Sequence, residues 1–179
     1  IIIADDSPSK DTEQALTDLV GSGAVQYFHN IPKLGQAENV NKLFGLARGE
    51  FLMLLHDDDL LFPDAIAELV NCFVIMPGLT AAYGKQYLIR QDGSCDEVGS
   101  RLLNADFRRT ADLAGLQGSE LHASLTRQFP NDGFLLRASV AKAIGYRSDP
   151  SKVGVVCDLD FGLRLAASAD GFYFIDRYT

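Results

Sequence analysis

The stretch 51–63, FLMLLHDDDLLFP, decides the fold that this sequence predicts. Its first five residues are apolar, a run long enough for a buried strand and too short for most helices. The run ends in a histidine and three consecutive aspartates, and a helix with Pro63 near its first turn is predicted to follow. Because ligands of open α/β sheets bind at the carboxyl ends of strands, these aspartates mark a candidate site.

The neighbouring carboxylates of Asp57, Asp58 and Asp59 repel one another, and burial would increase that cost. A hard divalent cation relieves the repulsion, because Mg²⁺ and Mn²⁺ prefer oxygen ligands. The alternative is a solvated acidic turn that caps the next helix, since Asp is favoured where helices start. The buried strand that precedes the cluster favours the metal site over this alternative.

Composition argues against several classes of function. The chain has 179 residues, enough for one domain with a hydrophobic core, and a formal net charge of −8 at pH 7. Such an acidic chain is a poor candidate for binding nucleic acid or an anionic membrane through bulk electrostatics. Its three cysteines are odd in number and widely spaced, which predicts neither a disulfide framework nor a zinc site.

Location follows from the same features. Free cysteines fit a reducing compartment, and no apolar run approaches about 18 residues, so no membrane span is predicted. We expect a cytoplasmic location, with the inner face of the membrane as an alternative. Residues 1–4 read as an interior strand although the chain begins without Met, so we expect a further strand and helix of the same domain to precede Ile1.

The first half of the chain alternates predicted strands with predicted helices. Strands are predicted at 1–4, 25–28 and 51–55, and helices after Ser9, over 36–48 and after Pro63. Such an alternation is typical of an α/β domain whose mostly parallel central sheet has helices on both faces.

The second half changes character. Strands are predicted at 79–83 and 86–90, and the Asp92-Gly93 turn leads into a returning strand at 95–98. A further strand at 133–137 precedes a short helix at 138–144, and an amphipathic helix covers 158–167. Residues 100–130 carry little signal beyond a helix that Ser119 caps.

Four segments occur in an order that resembles family 2 glycosyltransferases with the GT-A fold. They are ADDSPSKDT, GQAENVNKLFGLARGEF, LLHDDDLLFP and CDLDFGLRLA, and they extend from residue 1 to about residue 167. The resemblance implies a Rossmann-like fold of nucleotide-diphospho-sugar transferases. It also implies that residues 1–179 form one incomplete catalytic domain, with a nucleotide-binding half at 1–78 and an acceptor-binding half at 79–179.

The resemblance assigns nucleotide contacts to the first two segments. Asp5 matches the first member of the family's acidic pair, whose carboxylate can accept a hydrogen bond from a uracil imide N–H. The alternative, an Asx turn, suits Asp6 better. Asn41 matches a family Asn near the nucleotide, but Val40 stands where the family often has Arg.

The third segment carries the family's D-x-D motif, which falls on His56-Asp57-Asp58. Asp58 takes the position of the metal ligand, and Asp57 is placed for a ribose or metal contact. Asp59 is a candidate to support either role. His56 replaces the first Asp, and both a hydrogen-bonded structural role and metal ligation are open to it.

The fourth segment replaces the family's Glu-Asp pair by Cys157-Asp158. Asp158 thus resembles the catalytic base that takes the proton of the acceptor hydroxyl. The alternative for Asp158 is an N-cap of the helix that follows.

The reaction that the resemblance implies is inverting transfer of a sugar from a nucleotide-diphosphate sugar, with UDP favoured, to a hydroxyl acceptor. The acceptor would be a saccharide or a lipid-linked molecule in polysaccharide or glycoconjugate synthesis, and the cofactor Mn²⁺ or Mg²⁺. Peripheral membrane association would require segments outside this sequence. The alternatives are a sugar-phosphate nucleotidyltransferase, and a degenerate domain that binds carbohydrate or nucleotide without catalysis.

Overall fold

The computed structural model describes residues 1–149 and 156–179, and its strands lie in three sheets. Strands β1 (Ile2–Asp5) and β2 (Gln26–His29) form a parallel pair. A five-stranded sheet has the order β3-β8-β4-β9-β7, with β3 at Phe51–Met53, β4 at Ala81–Lys85, β7 at Gly115–Leu116, β8 at Leu135–Arg137 and β9 at Phe172–Tyr178. A hairpin joins β5 (Leu88–Ile89) to β6 (Cys95–Asp96) through the predicted Asp92-Gly93 turn.

The five-stranded sheet is mixed. Strand β8 is antiparallel to both β3 and β4, β4 is parallel to β9, and β7 is antiparallel to β9. The α/β class is therefore confirmed, but the prediction of a mostly parallel central sheet is wrong. A strand that is buried on both faces is continuously apolar in either direction, so composition does not encode the direction of β8. Strands β3, β4 and β9 do share one direction, and their carboxyl ends meet at one edge.

Eight α-helices and one 3₁₀ turn are described, and most lie where the sequence predicts them. They are α1 (Asp11–Ala15), α2 (Thr17–Gly21), α3 (Gln36–Leu46), α4 (Ala65–Ile75), α5 (Glu97–Asp106), α6 (Glu120–Leu125), α7 (Ala138–Ile144), α8 (Cys157–Ala166) and the 3₁₀ turn Ala111–Leu113. The helix predicted after Ser9 is broken at Leu16, and neither of its halves buries a residue. Helix α5 is not among the predictions. No helix of the described residues is both long and apolar enough to span a bilayer.

Two apolar clusters cover the two faces of the five-stranded sheet. Phe172 and Phe174 of β9 point to one face, where they belong to a cluster with α3, α7 and α8. Leu135 of β8 and Ala82 of β4 point to the other face, against Leu69 of α4. This alternation follows the period of two along a strand, and it confirms helices on both faces.

The segment between β3 and α4 holds the acidic turn. The backbone N–H of Asp59 donates to the carbonyl of His56 at 3.4 Å, which closes a turn after the strand. Helix α4 begins at Ala65 with Asp64 as its N-cap, so Pro63 lies directly before the helix, near the first turn as predicted. The side chains of residues 57–59 are exposed at the carboxyl end of β3.

Candidate functional site

The acidic turn brings three potential metal ligands together. One ligand atom each of His56, Asp58 and Asp59 lies within 4.8 Å of the others, so a single cation could contact all three. Asp57 is exposed and lies outside this group. The donor set of two carboxylates and an imidazole suits Mn²⁺ better than Mg²⁺, because Mg²⁺ strongly prefers oxygen ligands.

Asp132 belongs to this site although sequence reasoning missed it. It is buried, and its Oδ2 accepts the backbone N–H of His56 at 3.3 Å. Burial raises the pKa of Asp132 to about 6, and the carboxylate of Asp59 adds to the shift while His56 opposes it. No local motif marks Asp132, because it reaches the turn from the loop before β8, 76 positions along the chain.

The imidazole of His56 is not fully hydrogen-bonded. Its Nδ1 lies 3.9 Å from a carboxylate oxygen of Asp59 and 3.9 Å from one of Asp132. Its Nε2 is buried and has no hydrogen-bond partner among the described residues. A structural histidine normally satisfies both nitrogens, so this arrangement favours the metal-ligand alternative that the sequence left open.

The acidic pair after β1 is held by local hydrogen bonds. Asp5 accepts the Ser7 backbone N–H and the Tyr27 hydroxyl, both at 2.7 Å. Partial burial raises the pKa of Asp5, but these hydrogen bonds outweigh it and lower the value to about 2. The Asx turn is therefore formed by Asp5, and the expectation that it suits Asp6 better is wrong.

Asp6 instead fixes the loop that leads into α3. Its carboxylate accepts the backbone N–H groups of Leu34 at 3.1 Å and Gly35 at 2.6 Å, and the amide of Asn30 at 2.7 Å. Partial burial raises the pKa of Asp6, but these hydrogen bonds and the charge of Lys33 lower it overall. Asp6 thereby positions the first turn of α3, where Gln36 lies.

Asn41 makes contacts within the protein. Its Nδ2 donates to the carbonyl of Tyr146 at 2.9 Å, and its Oδ1 accepts the Tyr146 backbone N–H at 2.6 Å. These two bonds account for a polar residue on the inner side of α3 without any ligand. A nucleotide contact of Asn41 stays a prediction.

Asp158 lies in the first turn of α8 and is held from α3. The Gln36 side-chain amide donates to its two carboxylate oxygens at 3.0 and 3.3 Å. The helix begins at Cys157 with Val156 as N-cap, so Asp158 does not take the capping position that was its alternative role. Burial and the nearby carboxylate of Asp158 raise the pKa of the buried Tyr146 hydroxyl.

A cavity of about 290 Å³ adjoins Asp158, and Phe129, Asn131, Arg109 and Arg127 also line it. It lies beside the acidic turn, because the chain passes from Asn131 to Asp132 and the Gly133 N–H donates to the Leu54 carbonyl at 2.9 Å. One carboxylate thus faces a cavity, and a metal-competent cluster lies next to it.

Comparison with known proteins agrees with this fold. Among curated proteins, none matches the chain significantly. The solved structure "Crystal structure of S. aureus TarS 1-349" matches 99% of this chain and 50% of its own, with a TM-score of 0.73 and 13% identity. A second structure of that protein, in complex with UDP, has a TM-score of 0.72 and 13% identity over the same shares.

A third match is "Mannosyltransferase PcManGT from Pyrobaculum calidifontis in complex with GDP-Man and Mn2+". It covers 99% of this chain and 45% of its own, with a TM-score of 0.61 and 15% identity. The chain thus spans about half the length of the structures it matches. The family model "Glycosyl transferase family 2" matches residues 1–110, more than half of the sequence, and the chain belongs to that family.

Proposed function

We propose that this domain transfers a sugar, with inversion, from a UDP-sugar to a hydroxyl acceptor in polysaccharide or glycoconjugate synthesis. The observation that carries the proposal is the adjacency of two groups: the cluster His56, Asp58 and Asp59, and the cavity that Asp158 faces. An inverting transfer is favoured by a cation near the leaving diphosphate and uses a base on the opposite side of the sugar. The two groups can supply these separate functions.

The chain's own residues divide the work. His56, Asp58 and Asp59 would hold Mn²⁺, which offsets the charge that develops on the departing diphosphate. Asp132 keeps the backbone of His56 in place through its hydrogen bond. The Asp158 carboxylate, oriented by Gln36, would take the proton of the acceptor hydroxyl as it attacks the sugar.

The donor half would be residues 1–78 and the acceptor half 79–179. Asp5, Asp57 and Asn41 stay predicted nucleotide-sugar contacts, and Asp5 would accept the imide N–H of a uracil. The solved structures with UDP and with GDP-Man and Mn²⁺ support a nucleotide-sugar donor and a divalent cation. A cytoplasmic location, with the inner face of the membrane as the alternative, fits a donor of this kind and stays a prediction.

The test is release of UDP from UDP-sugars with Mn²⁺ and with a chelator, using parent protein and Asp158→Asn. Asparagine keeps the size of the side chain but cannot accept a proton. We expect Mn²⁺-dependent turnover that Asp158→Asn lowers roughly 10²–10⁴-fold, with unchanged UDP binding and thermal stability. Asp112→Asn, an exposed carboxylate, is the control. Near-parental turnover by Asp158→Asn would contradict the assignment of the base.

A further inference from the structure

The cavity beside Asp158 carries positive charge in an acidic protein. The formal net charge of the chain is −8. Yet, within residues 1–149 and 156–179, the charged side chains that line this cavity are one carboxylate, Asp158, and two guanidinium groups, Arg109 and Arg127. The proposed reaction needs only the carboxylate, so the two arginines call for their own explanation.

Arg109 is a buried cation that forms no ion pair with a carboxylate of the part of the chain that the structure describes. It is 2% exposed, and its three nitrogens donate to Gln128 O at 2.9 Å, Gln86 Oε1 at 2.5 Å and Arg127 O at 3.1 Å. These bonds use three of the five N–H donors of the guanidinium and hold its positive charge in place. Burial lowers the pKa of Arg109 to about 10, and the positive charge of Arg127 lowers it further, whereas Tyr83 and Asp132 oppose the shift.

Arg127 is exposed at the rim of the cavity and is held in an unusual backbone conformation. Its φ is 58°, in the left-handed region that costs a non-glycine residue about 1 kcal/mol. The Arg109 side chain bonds to its carbonyl, and its guanidinium lies 4.7 Å from the centre of the Phe107 ring. The arginine ion pairs of the described residues involve other side chains, namely Arg90, Arg101, Arg137, Arg147 and Arg164.

We propose that this cavity selects acceptors that carry an anionic group, a phosphate or a carboxylate, next to the hydroxyl that Asp158 deprotonates. The inference rests on the proposed function. Arg127 would contact the anion directly, because its side chain is exposed and the described residues pair no carboxylate with it. Arg109 would supply a fixed positive charge below it. Charged guanidinium groups form the strongest hydrogen bonds to such anions.

The charge arrangement also explains how an anion could approach a carboxylate. Two unit charges 4 Å apart interact by about 4 kcal/mol near a protein surface, so Asp158 alone would repel an anionic acceptor. Two cations in the same cavity reverse the sign of the local charge. Phe107 and Phe129, which also line the cavity, supply apolar surface for the carbon atoms of a sugar or polyol.

The competing explanation is that the two arginines bind the diphosphate of the donor. That explanation predicts competition between a small anionic probe and UDP with Mn²⁺. An acceptor site predicts that the probe and UDP bind at the same time, so simultaneous binding distinguishes the two explanations.

The experiment is a titration of the metal-free 179-residue protein, followed by NMR of the arginine Nε–H signals. The probes are sn-glycerol 3-phosphate against glycerol, and glucuronate against glucose. Arg127→Gln removes the positive charge, and Arg127→Lys keeps the charge without the planar guanidinium. Arg48→Gln is the matched control, because Arg48 is exposed and belongs neither to the metal cluster nor to the cavity. Arg109 is left unchanged, because replacing a buried side chain would damage the fold.

We expect the anionic probes to bind and the neutral probes not to bind. Arg127→Gln should weaken binding at least about ten-fold, Arg127→Lys less, and Arg48→Gln not at all. Binding of sn-glycerol 3-phosphate alone would assign a phosphate, binding of glucuronate alone a carboxylate, and either result supports the proposal. Equal binding of charged and neutral probes, or parental binding by Arg127→Gln, would overturn it.

A second titration adds UDP with Mn²⁺ to the protein that already holds the anionic probe. Undisturbed probe binding supports an acceptor site, whereas displacement of the probe assigns the arginines to the donor and overturns the proposal. Failure of UDP to bind with Mn²⁺ would contradict the proposed function instead. The titration without metal measures the preference for anionic probes whether or not UDP binds with Mn²⁺.

Discussion

The direction of the Asp158 carboxylate is set by one neutral side chain from the other half of the chain. Gln36 donates its amide to both oxygens, and the loop before it is fixed by Asp6. Gln36 thus links the acidic pair after β1 to the proposed base. Sequence reasoning named Asp158 from its motif but gave no sign of Gln36, because the two lie 122 positions apart.

Replacing Gln36 tests whether this contact matters for the reaction. Gln36→Glu is nearly isosteric but places a second carboxylate against Asp158, so repulsion should turn the base away from the acceptor. We expect kcat of transfer to fall about ten-fold, with KM for the donor unchanged. Gln91→Glu, at an exposed position, should leave both constants at the parental values. Steady-state kinetics check the prediction, and a parental kcat for Gln36→Glu would show that Asp158 does not need this donor.

The metal cluster shows what local sequence can and cannot reveal. Three consecutive aspartates after an apolar strand predict a metal site, and the resemblance to the family motif singles out Asp58 as its ligand. The sequence leaves the role of His56 open, since a histidine that ends a strand is compatible with either role. Asp132 could not be predicted, because only the antiparallel pairing of β8 with β3 brings its loop to the turn.

Strands β1 and β2 are joined by a side-chain bond as well as by their backbone ladder. The Tyr27 hydroxyl donates to Asp5 at 2.7 Å, and burial, reinforced by this bond, raises the pKa of Tyr27 to about 12. The pKa of Asp5 is lowered to about 2. A carboxyl whose pKa is lower in the folded than in the unfolded state stabilises the fold above its unfolded pKa. That contribution is lost as the pH falls from about 4 to about 2.

Tyr27→Phe removes the donor and keeps the ring. We expect the free energy of unfolding at pH 7 to fall by about 1 kcal/mol, a value discounted for the partial exposure of Asp5. The difference from the parent should shrink as the pH falls from about 4 to about 2, where Asp5 becomes protonated. Urea unfolding at pH 7 and at pH 2 measures it, with Tyr173→Phe on β9 as control. A loss of stability that is the same at both pH values would contradict this electrostatic account.

Gly84 allows β4 and β9 to approach where their register shifts. A Cβ at this position would lie 2.6 Å from the Arg177 carbonyl and 2.5 Å from Thr179 Cγ2. Gly84→Ala should therefore lower the free energy of unfolding by about 1–3 kcal/mol, because backbone atoms must move. Gly118→Ala, where nothing lies within 4 Å, is the control for the loss of a glycine. Equal urea midpoints for the two variants would show that the strands have room to separate.

Helix α5 shows why one element was missed. Its buried residues, Ser100 and Asn104, are polar, whereas Val98 and Leu102 are exposed. The apolar residues of this helix therefore do not form the helical repeat on the core-facing side that would have predicted it. Asn104 instead bonds to the N–H and carbonyl of Gln86, and Ser100 to the N–H of Leu88. The Asp96 cap, which accepts the Gly99 N–H at 3.0 Å, was the one signal that could have revealed its start.

The two halves of the chain share one sheet, and this sharing builds the site. Strand β8 of the second half lies between β3 and β4 of the order β3-β8-β4-β9-β7, so its preceding loop meets the acidic turn. Alternating strands and helices were predictable from apolar patterns, but the insertion of β8 between β3 and β4 was not, since it depends on pairings between distant segments. The motif order carried the family assignment that the family model confirms over residues 1–110.

The central claim is that the turn at His56–Asp59 binds the donor diphosphate through a divalent cation. The most direct test is calorimetry of UDP binding, with Mn²⁺ and with a chelator, to the parent chain, to Asp58→Asn and to the control Asp112→Asn. The account predicts Mn²⁺-dependent binding by the parent and by Asp112→Asn, and none by Asp58→Asn, although all three unfold at nearly the same temperature. Equal binding of UDP and Mn²⁺ by Asp58→Asn and the parent would contradict it.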